Sequence, residues 1–130
     1  MKALALDYGR ARTGVAVSDP TGTVVRPLGV VDRAGSERGL DRIAEIVGEE
    51  KPDVVVVGLP LTLRGVEGSQ AEETRRFASL LTERISVPVD LFDERFTTRL
   101  AEQQPGAAPP DARAAAHLLA TYLAWSRSEQ

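Results

Sequence analysis

The stretch LALDYGRARTGVAVSD, residues 4–19, decides the fold. Two short apolar runs, Leu4–Leu6 and Val15–Val17, flank the turn YGRART, the pattern of a hairpin. Asp19-Pro20-Thr21-Gly22 is a second turn signal, and Val24 to Val31 forms a third extended segment. Three strands joined by turns predict an antiparallel meander. Asp7 ends the first run, where a buried strand would otherwise continue.

The pattern changes after the meander. Leu40, Ile43, Ala44 and Val47 recur at helical spacing behind Ser36, a good N-cap. DVVVVGLP follows Pro52, and its continuous β-branched run predicts a strand buried on both faces. Ser69-Gln70-Ala71-Glu72 reads as a capping box opening a second helix, with Thr74, Phe77, Ala78, Leu81 and Ile85 on one side. VPVDLF is a fifth strand, and PPDARAAAHLLATYLAW a last helix started by Pro110 and Asp111. A further helical turn is expected around Thr98–Gln103. The order β-β-β-α-β-α-β-α predicts an α/β fold with a mixed five-stranded sheet and helices packed on it.

At 130 residues the chain is most simply one domain, spanning 1–130. The absence of cysteine excludes disulfides and thiolate metal sites, so a metal would need oxygen or nitrogen ligands. The N-terminus lacks the features of a signal peptide, and nothing approaches the roughly 18 apolar residues of a membrane span. A cytoplasmic protein that binds no membrane is expected. Net charge is −3 and the pI about 5.2, against a strongly basic nucleic-acid-binding domain. Yet 14 of the 16 basic residues are arginine, which suits bidentate phosphate contact. A genome bias towards arginine explains the count equally well, so placement must decide.

The acidic residues fit the core poorly. Asp7 ends the first strand, Asp93 and Glu94 end the fifth, and Asp111 opens the last helix. With strands one, four and five as neighbours, the first two places lie close together, and alternation lets only one of Asp93 and Glu94 face as Asp7 does. Clustered carboxylates repel and lose hydration, a conflict that a divalent cation resolves. An oxygen-only site suits Mg²⁺ or Mn²⁺, and two such ions about 4 Å apart drive in-line phosphodiester hydrolysis. Each carboxylate has a plainer reading: Asp7 as a turn residue, Asp93 and Glu94 as a solvated strand end, Asp111 as a helix cap.

LDYGRARTGVAVSD, GLPLTLRGVEGSQA, DERFTT and DARAAAHLLATYL resemble, in order and spacing, the four blocks of the YqgF family, also called RuvX. The resemblance covers nearly the whole chain. It implies the RNase H-like fold of RuvC-type nucleases and an enzyme that processes the 5′ end of pre-16S rRNA in ribosome biogenesis. It also implies a catalytic, metal-binding triad of Asp7, Glu94 and Asp111, leaving Asp93 a supporting role at most. Gly9 and Gly14 would allow a tight hairpin and close approach of backbone to a phosphate. Arg10, Arg12, Arg64, Arg95 and Arg99 lie in or beside the blocks and are candidates for a cationic rim on nucleic acid. Thr97 and Thr98 are candidate phosphate contacts or helix caps.

Three classes of function compete. The first is a Mg²⁺- or Mn²⁺-dependent endonuclease on structured RNA, with pre-rRNA favoured over DNA; a Holliday junction resolvase is its alternative. The second is the actin, Hsp70 and sugar-kinase class of ATPases, which also begin with an Asp-x-Gly hairpin but need two facing domains. The third is a non-catalytic nucleic-acid-binding module of ribosome assembly. A homodimer would favour four-way junctions, and a monomer single-strand trimming.

Overall fold

The meander forms as the turns predict: β1 (Ala3–Asp7), β2 (Arg12–Ser18) and β3 (Val25–Asp32) pair antiparallel in sequence. The computed structural model describes residues 1–61, 68–93 and 109–128. Helix α1 (Glu37–Glu50) follows, and the Ser36 hydroxyl accepts from the Gly39 N–H at 3.0 Å as its N-cap. Strand β4 (Val54–Leu59) is buried along its length and pairs parallel with β1, Leu4 opposite Val55 and Leu6 opposite Val57. After α2 (Ser69–Thr82), β5 (Val89–Asp93) pairs parallel with β4. Helix α3 (Pro110–Ser128) completes the described elements. The sheet order is β3-β2-β1-β4-β5, so the five-stranded mixed sheet has β1 at its centre.

Alternation along the central strands divides the core into two layers. Leu4, Leu6, Val15, Val17, Val55 and Val57 face α1 and α2, where Leu40, Ile43, Phe77 and Leu81 close over them. Ala3, Ala5, Ala16, Val54 and Val56 face α3, against Leu118, Leu119 and Leu123. Each fully buried leucine or isoleucine contributes roughly 1.5–3 kcal/mol of transfer free energy, so the leucine-rich layer anchors the sheet. The opposite layer, floored by alanine, brings α3 close to the strands.

Two local expectations shift. Ser69 is already helical, and Gly68, extended at φ −105 and ψ −166, holds the N-cap position of α2 without a side-chain bond. The Glu72 N–H donates to the Gly68 carbonyl at 3.1 Å, closing the first turn one residue earlier than the capping-box spacing implies. Ile85 lies past the end of α2, yet still packs on the larger core layer. The turn expected at Thr98–Gln103 lies outside the described residues. Pro27 sits in β3, which as an edge strand tolerates a missing N–H. Leu28 drops out of register between Gly29 and Pro27, a bulge in that edge.

Candidate active site at the end of strand one

Asp7 continues the alternation of Ala3 and Ala5 and so belongs to the α3 side of the sheet. It is half-buried and lines a cleft of ≈ 340 Å³ together with Gly9, Pro60, Gln70 and Thr74. The hairpin beyond it is tight. A Cβ on Gly9 would stand 2.5 Å from the Arg12 carbonyl oxygen, and the Gly9 N–H donates to the buried Thr13 Oγ1 at 3.3 Å.

Gly14 has a different use from the one its place near the turn implies. It lies within β2, opposite Asp7, and the start of α3 presses on it. A Cβ there would fall 1.8 Å from the Asp111 carbonyl oxygen and 2.4 Å from its carbon. The missing side chain therefore seats the backbone of Asp111 on the strand residue paired with Asp7. Asp111 is the second residue of α3, and the Arg113 N–H donates to the Pro109 carbonyl at 3.0 Å, which makes Pro109 the cap. The plain reading of Asp111 as an N-cap therefore fails. Its carboxylate instead meets Arg12, Nε to Oδ2 at 3.3 Å, with side chains 67% and 39% exposed. So exposed a pair adds little stability; its effect is to offset an acidic charge beside Asp7.

The fifth strand places the first of its two terminal acids. Val89 and Leu91 pack on the α1 and α2 layer, whereas Phe92 packs with α3 and Asp90 accepts from the Tyr122 hydroxyl at 3.0 Å. Asp93 therefore falls on the side away from Asp7, as Leu91 does. Glu94 lies outside the described residues, as do Arg64, Arg95, Thr97, Thr98 and Arg99. Among the described residues no three acidic or histidine side chains gather into a metal-binding group. Of the three residues expected to form a triad, Asp7 and Asp111 are the two whose placement is described.

The expected cationic rim divides. Arg12 turns towards Asp111, while Arg10 reaches α2, where Nε and Nη2 donate to the two oxygens of Glu73 at 3.1 and 3.0 Å. Glu73 also accepts from the Tyr8 hydroxyl at 3.1 Å, and the Tyr8 ring stacks on Phe77 at 4.5 Å. The Arg10 bond, more than the Tyr8 bond, holds the Glu73 carboxyl below its ordinary range, against a smaller opposing effect of burial. Burial and then Glu73 push the Tyr8 phenol up. Sequence reading missed Glu73 and Tyr8. Glu73 is one of several acids on a helix surface, and its partners lie 63 and 65 residues away.

Trp125 and Tyr122 form an aromatic group with Phe92; Tyr122 is buried and Trp125 is 47% exposed. Among the described residues no helix is long and apolar enough to cross a membrane.

The family model described as RuvX, Holliday junction resolvase, matches residues 1–124. A protein of Chloroflexus aurantiacus named "Putative pre-16S rRNA nuclease" is 47% identical over 100 residues, covering 77% of this chain and 65% of the relative. One of Streptococcus suis with the same name is 41% identical over 105 residues, covering 79% of this chain and 76% of the relative. The matched part thus spans just under two thirds of the Chloroflexus protein. Among solved structures, T. thermophilus RuvC in complex with a Holliday junction substrate superposes with a TM-score of 0.70 at 17% identity, over 98% of this chain and 96% of that one. A second T. thermophilus RuvC structure gives 0.64 over 99% and 97%. At that identity the likeness is one of fold, and it shows the expected RNase H-like α/β fold, shared with these RuvC structures.

Proposed function

The chain belongs to the RuvX family, and from that premise we propose a single-domain nuclease that hydrolyses phosphodiester bonds of structured RNA in the cytoplasm. Its proposed substrate is the 5′ end of pre-16S rRNA, the activity for which its relatives are named. One observation carries the reading: Gly14 seats the start of α3, with Asp111, on the residue paired with Asp7. Two carboxylates at the ends of different elements are thereby brought to one end of the sheet.

The donor chemistry fits a hard cation. Asp7 and Asp111 offer oxygen only, the chain has no thiolate, and Glu94 would be the third ligand. Held by Asp7, Asp111 and Glu94, a pair of Mg²⁺ or Mn²⁺ ions would supply the water activation and charge stabilisation that phosphodiester hydrolysis needs. The remaining work belongs to the chain. Asp7 and Asp111 orient from a rigid strand and a seated helix, Arg12 offsets the charge of Asp111, and Arg10 offers a guanidinium fork to a phosphate. Arg64, Arg95, Thr97, Thr98 and Arg99 complete the proposed nucleic-acid contacts.

The family description favours a second reading, a Holliday junction resolvase, which would pair two copies of the chain on a four-way junction. A cleavage panel decides between them. The full chain is incubated with Mg²⁺ or Mn²⁺ and with precursor rRNA, single-stranded RNA or a four-way DNA junction, beside Asp7→Asn. Selective cutting of the precursor, lost in Asp7→Asn, is expected. Preferential junction cutting would make the protein a resolvase, and tight RNA binding without cutting an assembly module. Metal should also raise the melting temperature of wild type but not of Asp7→Asn.

A further inference from the structure

The contact between Arg10 and Glu73 stands on the wall of the Asp7 cleft, and both residues also border a second groove. That groove, ≈ 370 Å³, runs along α2 past Ser69 and Arg76. Glu73 thus sits on the saddle between the two. Its two oxygens accept two bonds from one guanidinium, the arrangement in which an arginine fork holds two phosphate oxygens. The Arg10 side chain is 85% exposed and Glu73 only 23%, so the carboxylate is fixed to the body while the arginine lies open to solvent. Tyr8 does the fixing, through its hydroxyl and its stacking on Phe77.

We infer that Glu73 is a built-in stand-in for a substrate phosphate. It holds Arg10 in readiness and yields the guanidinium when a nucleic-acid strand leaving the Asp7 cleft crosses the saddle towards Arg76. The inference rests on the proposed nuclease reading and adds the path of the strand and a residue that tunes affinity against it. Glu73 lowers affinity for any passing polyanion, because a phosphate must displace a carboxylate already in place. An exposed ion pair is weak enough for the exchange to be easy and strong enough to be felt.

The test measures binding of a short fluorescein-labelled single-stranded RNA by anisotropy, in chelator so that no cleavage intervenes. Glu73→Gln is the informative variant, because its amide oxygen still accepts from Tyr8. It should bind roughly two- to fivefold tighter than wild type, the range an exposed ion pair commands. The gain should shrink to near nothing when Arg10→Ala is also present. Glu83→Gln, an equal charge change at the C-terminal cap of α2 and outside both grooves, should leave affinity unchanged. Arg76→Ala should weaken binding. Unchanged or weaker binding by Glu73→Gln while wild type binds would overturn the inference, as would a gain that survives the loss of Arg10. Absence of RNA binding by wild type and every variant would bring down the nuclease reading itself, a different and recognisable failure.

Discussion

Replacing Gly14 with alanine tests whether the acidic site depends on where α3 begins. The new Cβ would fall 1.8 Å from the Asp111 carbonyl oxygen, where ordinary contact begins at 3.4 Å. The helix start must therefore retreat by about 1.6 Å, because β2 is paired on both sides and cannot yield. Overpacking of this kind costs ~1–3 kcal/mol, so the melting temperature should fall by roughly 3–12 °C. Activity should suffer more, since misplacing a reacting group by ~1 Å can cost about 100-fold. The assay is metal-dependent cleavage of precursor RNA, read at a temperature where circular dichroism shows Gly14→Ala still folded. Gly48→Ala is the control: Gly48 lies in α1 with open space around it, and alanine there should stabilise by roughly 0.5–1 kcal/mol without touching activity. A Gly14→Ala protein with normal stability and turnover would refute the seat.

Asp111→Asn should fold normally, melt within a degree or two of wild type in chelator, and lose orders of magnitude in cleavage; normal turnover would reduce the site to Asp7 and Glu94. Asp93→Asn should keep a substantial fraction of activity because Asp93 follows Leu91 away from Asp7, whereas Glu94→Gln should abolish it; the reverse result would exchange their roles. At alkaline pH the buried Tyr122 phenol, pushed up to about 12 by burial and then by Asp90, should ionise well above the ordinary 10.0. Its folded pKa is raised, so its contribution to stability is complete below pH ~10 and lost as pH rises towards the folded value. Tyrosinate absorbance that titrates near the ordinary value in the folded protein would show that the bond to Asp90 is absent.

Local signals made most of the fold legible. Turn residues gave the meander, Ser36 gave the start of α1, and the β-branched run gave β4, because each is written within a few residues of its effect. The same holds for Asp7, whose place at a strand end is local. What escaped depends on contacts between distant segments. Gly14 reads as a hairpin residue until α3 lies on it, and Glu73 reads as surface charge until Tyr8 and Arg10 arrive from the first hairpin. Asp111 reads as a cap because the competing site, Pro109, has no side chain that signals one. Helix α2 starts one residue before the place that Ser69-x-x-Glu72 suggests, because that spacing also occurs inside a helix whose cap is a glycine.

The alanine floor beneath α3 has a consequence for how sequences of this kind diverge. On the α1 and α2 side, Leu4, Leu6, Val15 and Val17 meet leucine, isoleucine and phenylalanine. Swaps that conserve volume there usually cost less than ~1.5 kcal/mol and can be absorbed by neighbours. On the other side, Ala3, Ala5 and Ala16 leave room for one methyl group each, and anything larger lifts the helix that carries Asp111. The two sides of one sheet should therefore drift at different rates: the bulky side trading residues freely in compensating pairs, the thin side nearly frozen, although none of its alanines touches the substrate.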